Sequence, residues 1–207
     1  MSIRAEIEKY KIIAIIRGAQ PNAIIPIIEA LYSGGIRMVE ITMNSVDPLT
    51  AIKQAADQFS GRLLIGAGTV LDVAMAQDAI HAGAQFILSP IVDEEVIQAA
   101  KSLNSFAIPG AYTATEIYRA YQAGAEVIKV FPATSPAYLK DLAGPLPQIP
   151  LLPTGGITVD NIRDFQQVGA IGFGVGSALV DTKQQVTDAY LSALIDKAQK
   201  FVQALTS

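Results

Sequence analysis

The chain contains no cysteine and no tryptophan, a single histidine, and few charges: Asp, Glu, Lys and Arg make up 16% of its 207 residues, against about 25% in an average soluble domain. Without cysteine there is no disulfide framework, no thiolate nucleophile, no Cys-ligated zinc and no iron–sulfur cluster. The one imidazole is His81, at the end of a helical pattern, where His usually makes a surface or helix-dipole contact. With no second His, a transition-metal site has no evident ligand set, and no metal is expected. Basic runs are missing too: 15 Lys+Arg against 19 Asp+Glu give a net charge of −4 and a pI near 5.0, which argues against a nucleic-acid partner. The longest uncharged stretch, Leu142 to Val159, carries four prolines and three glycines, so it cannot be a membrane-spanning helix, and no membrane partner is expected. The opening MSIRAEIEKYK has no apolar run of signal-peptide length. It reads instead as a short amphipathic helix on Ile3, Ile7 and Tyr10, in a cytoplasmic protein.

Apolar residues are abundant, at 51%. With so small a net charge this excludes disorder, and a chain of this length can bury about 70% of its unfolded surface without staples. One domain, 1–207, is expected. Eight short apolar runs alternate with helix-length segments: Lys11–Arg17, Met38–Thr42, Leu63–Thr69, Phe86–Ser89, Ser105–Pro109, Glu126–Phe131, Ile149–Thr154 and Ile171–Gly176 read as strands. Helical patterns lie between them, and a long one runs from about Lys183 to Leu205. Near-continuous apolar strands are those of a parallel sheet covered on both faces. Eight such units predict an α/β fold of the (β/α)8 TIM-barrel type with an N-terminal helix. Gly35, Gly83, Gly124 and Gly169 support it, recurring just before strands at intervals of 48, 41 and 45 residues, the length of two βα units.

Alternate strand residues of such a barrel point inward, and reactive groups gather at the C-terminal strand ends. If Val39 and Ile41, and likewise Ile128 and Val130, meet the surrounding helices, then Glu40 and Lys129 face the interior, and Arg17 at the end of the first strand can join them. One reading is a buried ion pair that only specifies the fold, although hydrophobic replacements of such pairs are often as stable. The other is a lysine whose pKa is lowered by desolvation and by Arg17, opposed by Glu40. A neutral amine in a closed site is a Schiff-base nucleophile, and Arg17 is suited to clamp a carboxylate or phosphate. The residues by themselves indicate carbonyl chemistry or anion binding. Backbone donors are offered by GAGTV, by PTGGIT (Pro153–Thr158) and by GVGSAL (Gly174–Leu179). The last two close strands seven and eight, where these barrels bind phosphate with a short extra helix, expected here near Ser177. Gly155, Gly156, Gly176 and Ser177 are the phosphate-binding candidates.

From Ile12 to Val180 the ordered segments AIIRG, GGIRMVEIT, LIGAGTVL, AGAQFILSP, IPGAYTATE, AGAEVIKVFPA, PTGGI and GVGSAL resemble the KHG/KDPG aldolase family, class I aldolases for 2-keto-3-deoxy-6-phosphogluconate and its galactonate epimer. The resemblance implies that Lys129 forms an imine with pyruvate and Glu40 moves protons through a bound water. It implies too that Arg17 and Thr69 hold the pyruvate carboxylate, that Pro90 and Phe131 line its pocket, and that Thr154, Gly155, Gly156 and Ser177 meet substrate hydroxyls and phosphate. It further implies a homotrimer, a phosphorylated keto-acid substrate cleaved to pyruvate and glyceraldehyde 3-phosphate, 4-hydroxy-2-ketoglutarate as a further candidate substrate, and no cofactor. In two places the sequence departs from the family. TMNS puts Asn44 where many gluconate-type members have arginine, as in galactonate-type members, which carry proline where Thr42 stands. SPI puts Ile91 after the fourth strand. Both positions fall near the hydroxylated part of the substrate, so they bear on sugar choice, and Asn44 joins the substrate-binding candidates. Two other readings of the barrel are an isomerase or epimerase using Glu40 and Lys129 without covalent chemistry, and a phosphosugar-binding protein without catalysis.

Overall fold

The computed structural model describes residues 2–206. After helix α1 (Ile3–Tyr10), strands and helices alternate: β1 (Ile12–Ile16), α2 (Pro21–Ser33), β2 (Met38–Thr42), α3 (Pro48–Gln58), β3 (Leu64–Gly68), α4 (Val73–His81), β4 (Phe86–Leu88), α5 (Glu94–Ser102) and β5 (Phe106–Ile108). The second half continues with β6 (Gly110–Ala111), α6 (Ala114–Gln122), β7 (Ile128–Val130), α7 (Pro136–Ala143), β8 (Leu151–Pro153), α8 (Ile162–Gln167), β9 (Phe173–Val175) and α9 (Asp188–Thr206). All strand pairings are parallel, in the orders β5-β4-β3-β2-β1-β9 and β6-β7-β8.

Two junctions turn these two sheets into one ring. Thr154 and Gly174 form a parallel bridge that joins β8 to β9. On the other side, β5 and β6 are halves of one strand interrupted at Pro109, which has no N–H to give a ladder. The first half pairs with β4 and the second with β7, and the Pro109 carbonyl accepts from the Lys129 N–H at 2.9 Å. The fold is the expected (β/α)8 barrel, its fifth strand split by proline.

Side chains alternate across the ring as a closed parallel sheet requires. Ala14, Ile16, Val39, Ile41, Ile128 and Val130 pack outward against the helices. Ile13, Met38, Phe86, Leu88, Ile108, Val127 and Leu152 fill the interior together with Ile7 of α1, which plugs one end. Helices α4, α5, α6 and α7 begin at Asp72, Asp93, Thr113 and Ser135, whose side chains accept from the first-turn N–H groups.

Two expected boundaries are corrected. The short helix near Ser177 is a single turn, closed by bonds from the Leu179 and Val180 N–H groups to the Gly176 carbonyl. The final helix starts at Asp188, not near Lys183. The Asp181 carboxylate accepts from the Lys183 N–H at 3.1 Å and the Thr187 hydroxyl from the Tyr190 N–H at 3.2 Å. These side chains compete with helix before Asp188 and cap it after. No helix among the described residues is long and apolar enough to cross a membrane.

Candidate active site

The ends of β1, β3, β4, β7, β8 and β9 surround a cavity of about 770 Å³. It is lined by ten of the residues expected from the sequence: Arg17, Thr69, Pro90, Lys129, Phe131, Thr154, Gly155, Gly156, Gly176 and Ser177. Glu40 and Asn44 are not in the lining. Glu40 is fully buried in the barrel interior, and Asn44 reaches the site through Arg17, accepting from its guanidinium at 3.4 Å.

Lys129 is carried on β7 between Gly110 and Leu152 of the neighbouring strands, so its side chain takes an inward position. It is 3% exposed, and its ammonium nitrogen lies 4.9 Å from the centre of the Phe131 ring. Glu40 stands on β2 in register with Ile15 and Gly66. No ion pair within 4.0 Å joins Lys129 to Glu40 among the described residues, and neither Glu40 oxygen has a hydrogen-bond partner in the protein. The structure therefore gives no support to a contact ion pair that merely ties the fold together.

Burial decides the electrostatics of this pair. Desolvation pushes the Lys129 ammonium below its ordinary range; Glu40 opposes that shift and Arg17 adds to it. Desolvation pushes the Glu40 carboxyl up, partly offset by the charges of Lys129 and Arg17. Each shift favours the neutral form: for Lys129 that is the free amine, and for Glu40 a raised pKa means that the carboxylate, once ionised, is a stronger base than an exposed one.

Gly68 makes room for this carboxylate. A Cβ there would overlap the Glu40 side chain, with nothing but the barrel interior to receive it. In Gly68→Ala we expect stability to fall by about 1–3 kcal/mol from overpacking. Turnover should fall at least about tenfold from the displaced carboxylate. Urea melts and steady-state rates measure the two effects, and near-normal turnover would show that the position of Glu40 is not critical.

Arg17 is held from two sides, donating to Thr69 Oγ1 at 3.3 Å as well as to Asn44. Thr69 has a φ of 58°, a conformation that costs a β-branched residue about 1–3 kcal/mol and tends to persist at functional sites. Below them the Ser45 hydroxyl accepts from the Gly18 N–H and bonds Thr42, both at 2.9 Å. In the lining of the same cavity Gly155 and Gly156 both have positive φ, 82° and 77°, so their backbone follows a path that other residues resist. Asn161 pins that loop, its side chain accepting from the Thr158 N–H and donating to the Gly156 carbonyl, both at 2.8 Å. The Thr154 hydroxyl is buried without a protein partner beside the same cavity.

Sequence reasoning missed several lining residues: Ile15, Ile157, Thr158, Ala178, Val180 and the stretch Asp181–Lys183. The first three follow the barrel alternation and the glycine motif and were recoverable from them. Asp181–Lys183 carries no motif of its own and lies where the apolar pattern of the last helix begins, at about Lys183.

A family model for KDPG and KHG aldolases matches residues 3–193. The chain belongs to the KDPG and KHG aldolase family. It is thus a lyase of galactonate or gluconate type. It is 35% identical over 181 residues to the 2-dehydro-3-deoxy-6-phosphogalactonate aldolase of Escherichia coli K12, covering 86% of this chain and 88% of that one. To the 2-dehydro-3-deoxy-phosphogluconate aldolase of Pseudomonas aeruginosa it is 38% identical over 148 residues, 70% of this chain and 67% of the relative. Among solved structures, a KDPG aldolase from Legionella pneumophila with pyruvate captured at low pH as a covalent carbinolamine intermediate superposes with a TM-score of 0.82 at 26% identity. That match covers 96% of this chain and 97% of the other. Identity to the two sugar types is so similar that the match leaves the substrate epimer undivided.

Proposed function

We propose that this aldolase cleaves a 2-keto-3-deoxy-6-phospho-sugar acid through an imine on Lys129. The observation that carries the reading is a desolvated lysine lining the cavity, with its ammonium form disfavoured and a fully buried carboxyl group nearby whose oxygens have no protein partner. Neutral Lys129 attacks the C2 carbonyl, and loss of water gives the protonated imine. Glu40, through a water, accepts the C4 hydroxyl proton while the C3–C4 bond breaks, its electron pair passing to the imine as an enamine. The aldehyde leaves as glyceraldehyde 3-phosphate. Glu40 then returns the proton to C3 of the enamine, and hydrolysis releases pyruvate and free Lys129. The nitrogen serves as electron sink, so the mechanism as written needs no further group. Arg17, held by Thr69 and Asn44, faces the substrate carboxylate, and Gly155, Gly156, Gly176 and Ser177 face the phosphate. The covalent pyruvate adduct of the Legionella relative favours this route over noncovalent acid–base isomerisation.

Borohydride in the presence of pyruvate tests the reading. The expected result is loss of activity with a mass adduct on Lys129, and active protein without an adduct overturns it. Pyruvate release from the gluconate and galactonate epimers, measured side by side, assigns the sugar; Asn44 in place of arginine leads us to expect the galactonate epimer to be cleaved faster.

A further inference from the structure

Four charged side chains line the cavity: Arg17, Lys129, Asp181 and Lys183. The mechanism above uses the first two and leaves the others without a role. Asp181, Thr182 and Lys183 form a strap between the Ser177 turn and α9. Its shape is set by three hydrogen bonds. The Thr182 hydroxyl donates to the Arg17 carbonyl at 2.6 Å, tying the strap to the end of β1. The Asp181 carboxylate accepts from the Lys183 N–H at 3.1 Å and from the Gln184 side-chain amide at 2.8 Å. Those bonds hold the Asp181 carboxyl below the usual carboxylate range, so it stays ionised and engaged with the strap. Lys183 is exposed, and no carboxylate lies within 4.0 Å of its ammonium among the described residues.

The same cavity is lined by Gly155, Gly156, Gly176 and Ser177, whose donors are uncharged. Backbone N–H groups orient phosphate oxygens but carry only partial charge, whereas a lysine supplies a full compensating charge on a flexible stem. We infer that Lys183 binds the terminal phosphate of the substrate and gives this enzyme its preference for phosphorylated over unphosphorylated keto acids. This rests on the aldolase reading above. Thr182 is a positioning residue, since it joins the strap that carries Lys183 to the strand end that carries Arg17.

The test compares the parent enzyme with Lys183→Met and Lys183→Arg. Lys183→Met should raise KM for the phosphorylated keto acid about tenfold, the loss of one charge-assisted contact, with kcat within about twofold because the contact is made equally in ground and transition states. Lys183→Arg should restore most of the KM. KM for 4-hydroxy-2-ketoglutarate, which has no phosphate, and the rate of borohydride trapping with pyruvate should not move. An unchanged KM for the phosphorylated substrate, or an equal rise for both substrates, overturns the assignment. Inorganic phosphate separates this inference from the one beneath it. If phosphate raises the thermal midpoint of the parent but not of Lys183→Met while no variant traps pyruvate, the imine mechanism has failed and the phosphate contact stands.

Discussion

Replacing Lys129 by methionine should abolish aldol cleavage, by at least about four orders of magnitude, and remove the borohydride adduct, because the other amine lining the cavity, Lys183, is exposed where Lys129 is buried. The same change should make the protein harder to unfold. In the native chain Lys129 is buried and its pKa is depressed, so between the folded and unfolded pKa values the native state holds fewer protons at this site than the unfolded state. Stability is therefore lost as pH falls from the unfolded value toward the folded one, and at neutral pH the ammonium works against folding. Methionine fills similar space without that penalty, and each kcal/mol recovered raises the midpoint of a domain this size by about 2–4 °C. Calorimetry beside a pyruvate-release assay checks both halves. A lowered midpoint would mean that Lys129 holds the barrel together and that the lost activity reports unfolding. The pH dependence of trapping gives the signs separately: its midpoint should lie below the ordinary lysine range, rise in Arg17→Met as a like charge goes, and fall in Glu40→Gln as an opposite charge goes.

Glu40→Gln should lower turnover by about 10²–10⁴, the usual contribution of a positioned acid–base group, while pyruvate is still trapped on Lys129. That split distinguishes proton transfer from imine formation, and equal loss of both would reassign Glu40 to holding the lysine. Its effect on stability has the opposite pH sense to that of the lysine. A carboxyl whose pKa is raised by burial binds its proton more tightly in the native state, so stability falls as pH rises above the unfolded value toward the folded one. Glutamine removes that dependence, and the variant should match or exceed the parent at neutral pH in denaturant melts.

Much of this was legible in the chain as written. Strands with apolar residues on both faces, such as IIAII and MVEIT, cannot be solvated on either side, so a covered parallel sheet follows. Once Val39/Ile41 and Ile128/Val130 are assigned to the helices, a two-residue period leaves Glu40 and Lys129 no direction but inward. Less legible were features set by side chains bonding to nearby backbone. Asp181 and Thr187 delay the last helix to Asp188, and Pro109 splits the fifth strand, neither of which alters the apolar pattern that signalled those elements. Asn44 shows a further limit. Two residues after the strand that carries Glu40, it lies outside the cavity lining and acts on Arg17, a partner 27 residues away in sequence.

By itself the sequence determined the eightfold alternation, the face each strand buries and the chemical types available at the strand ends, because periodicity and charge are local properties of the chain. Only the tertiary structure decided that Lys129 and Glu40 stand near each other without touching, that the ring closes through Thr154 and Gly174, and that Lys183 comes to the cavity holding Gly155 and Gly156. Those relations depend on how residues far apart in the chain share one closed interior, where burial sets the charge each group can hold.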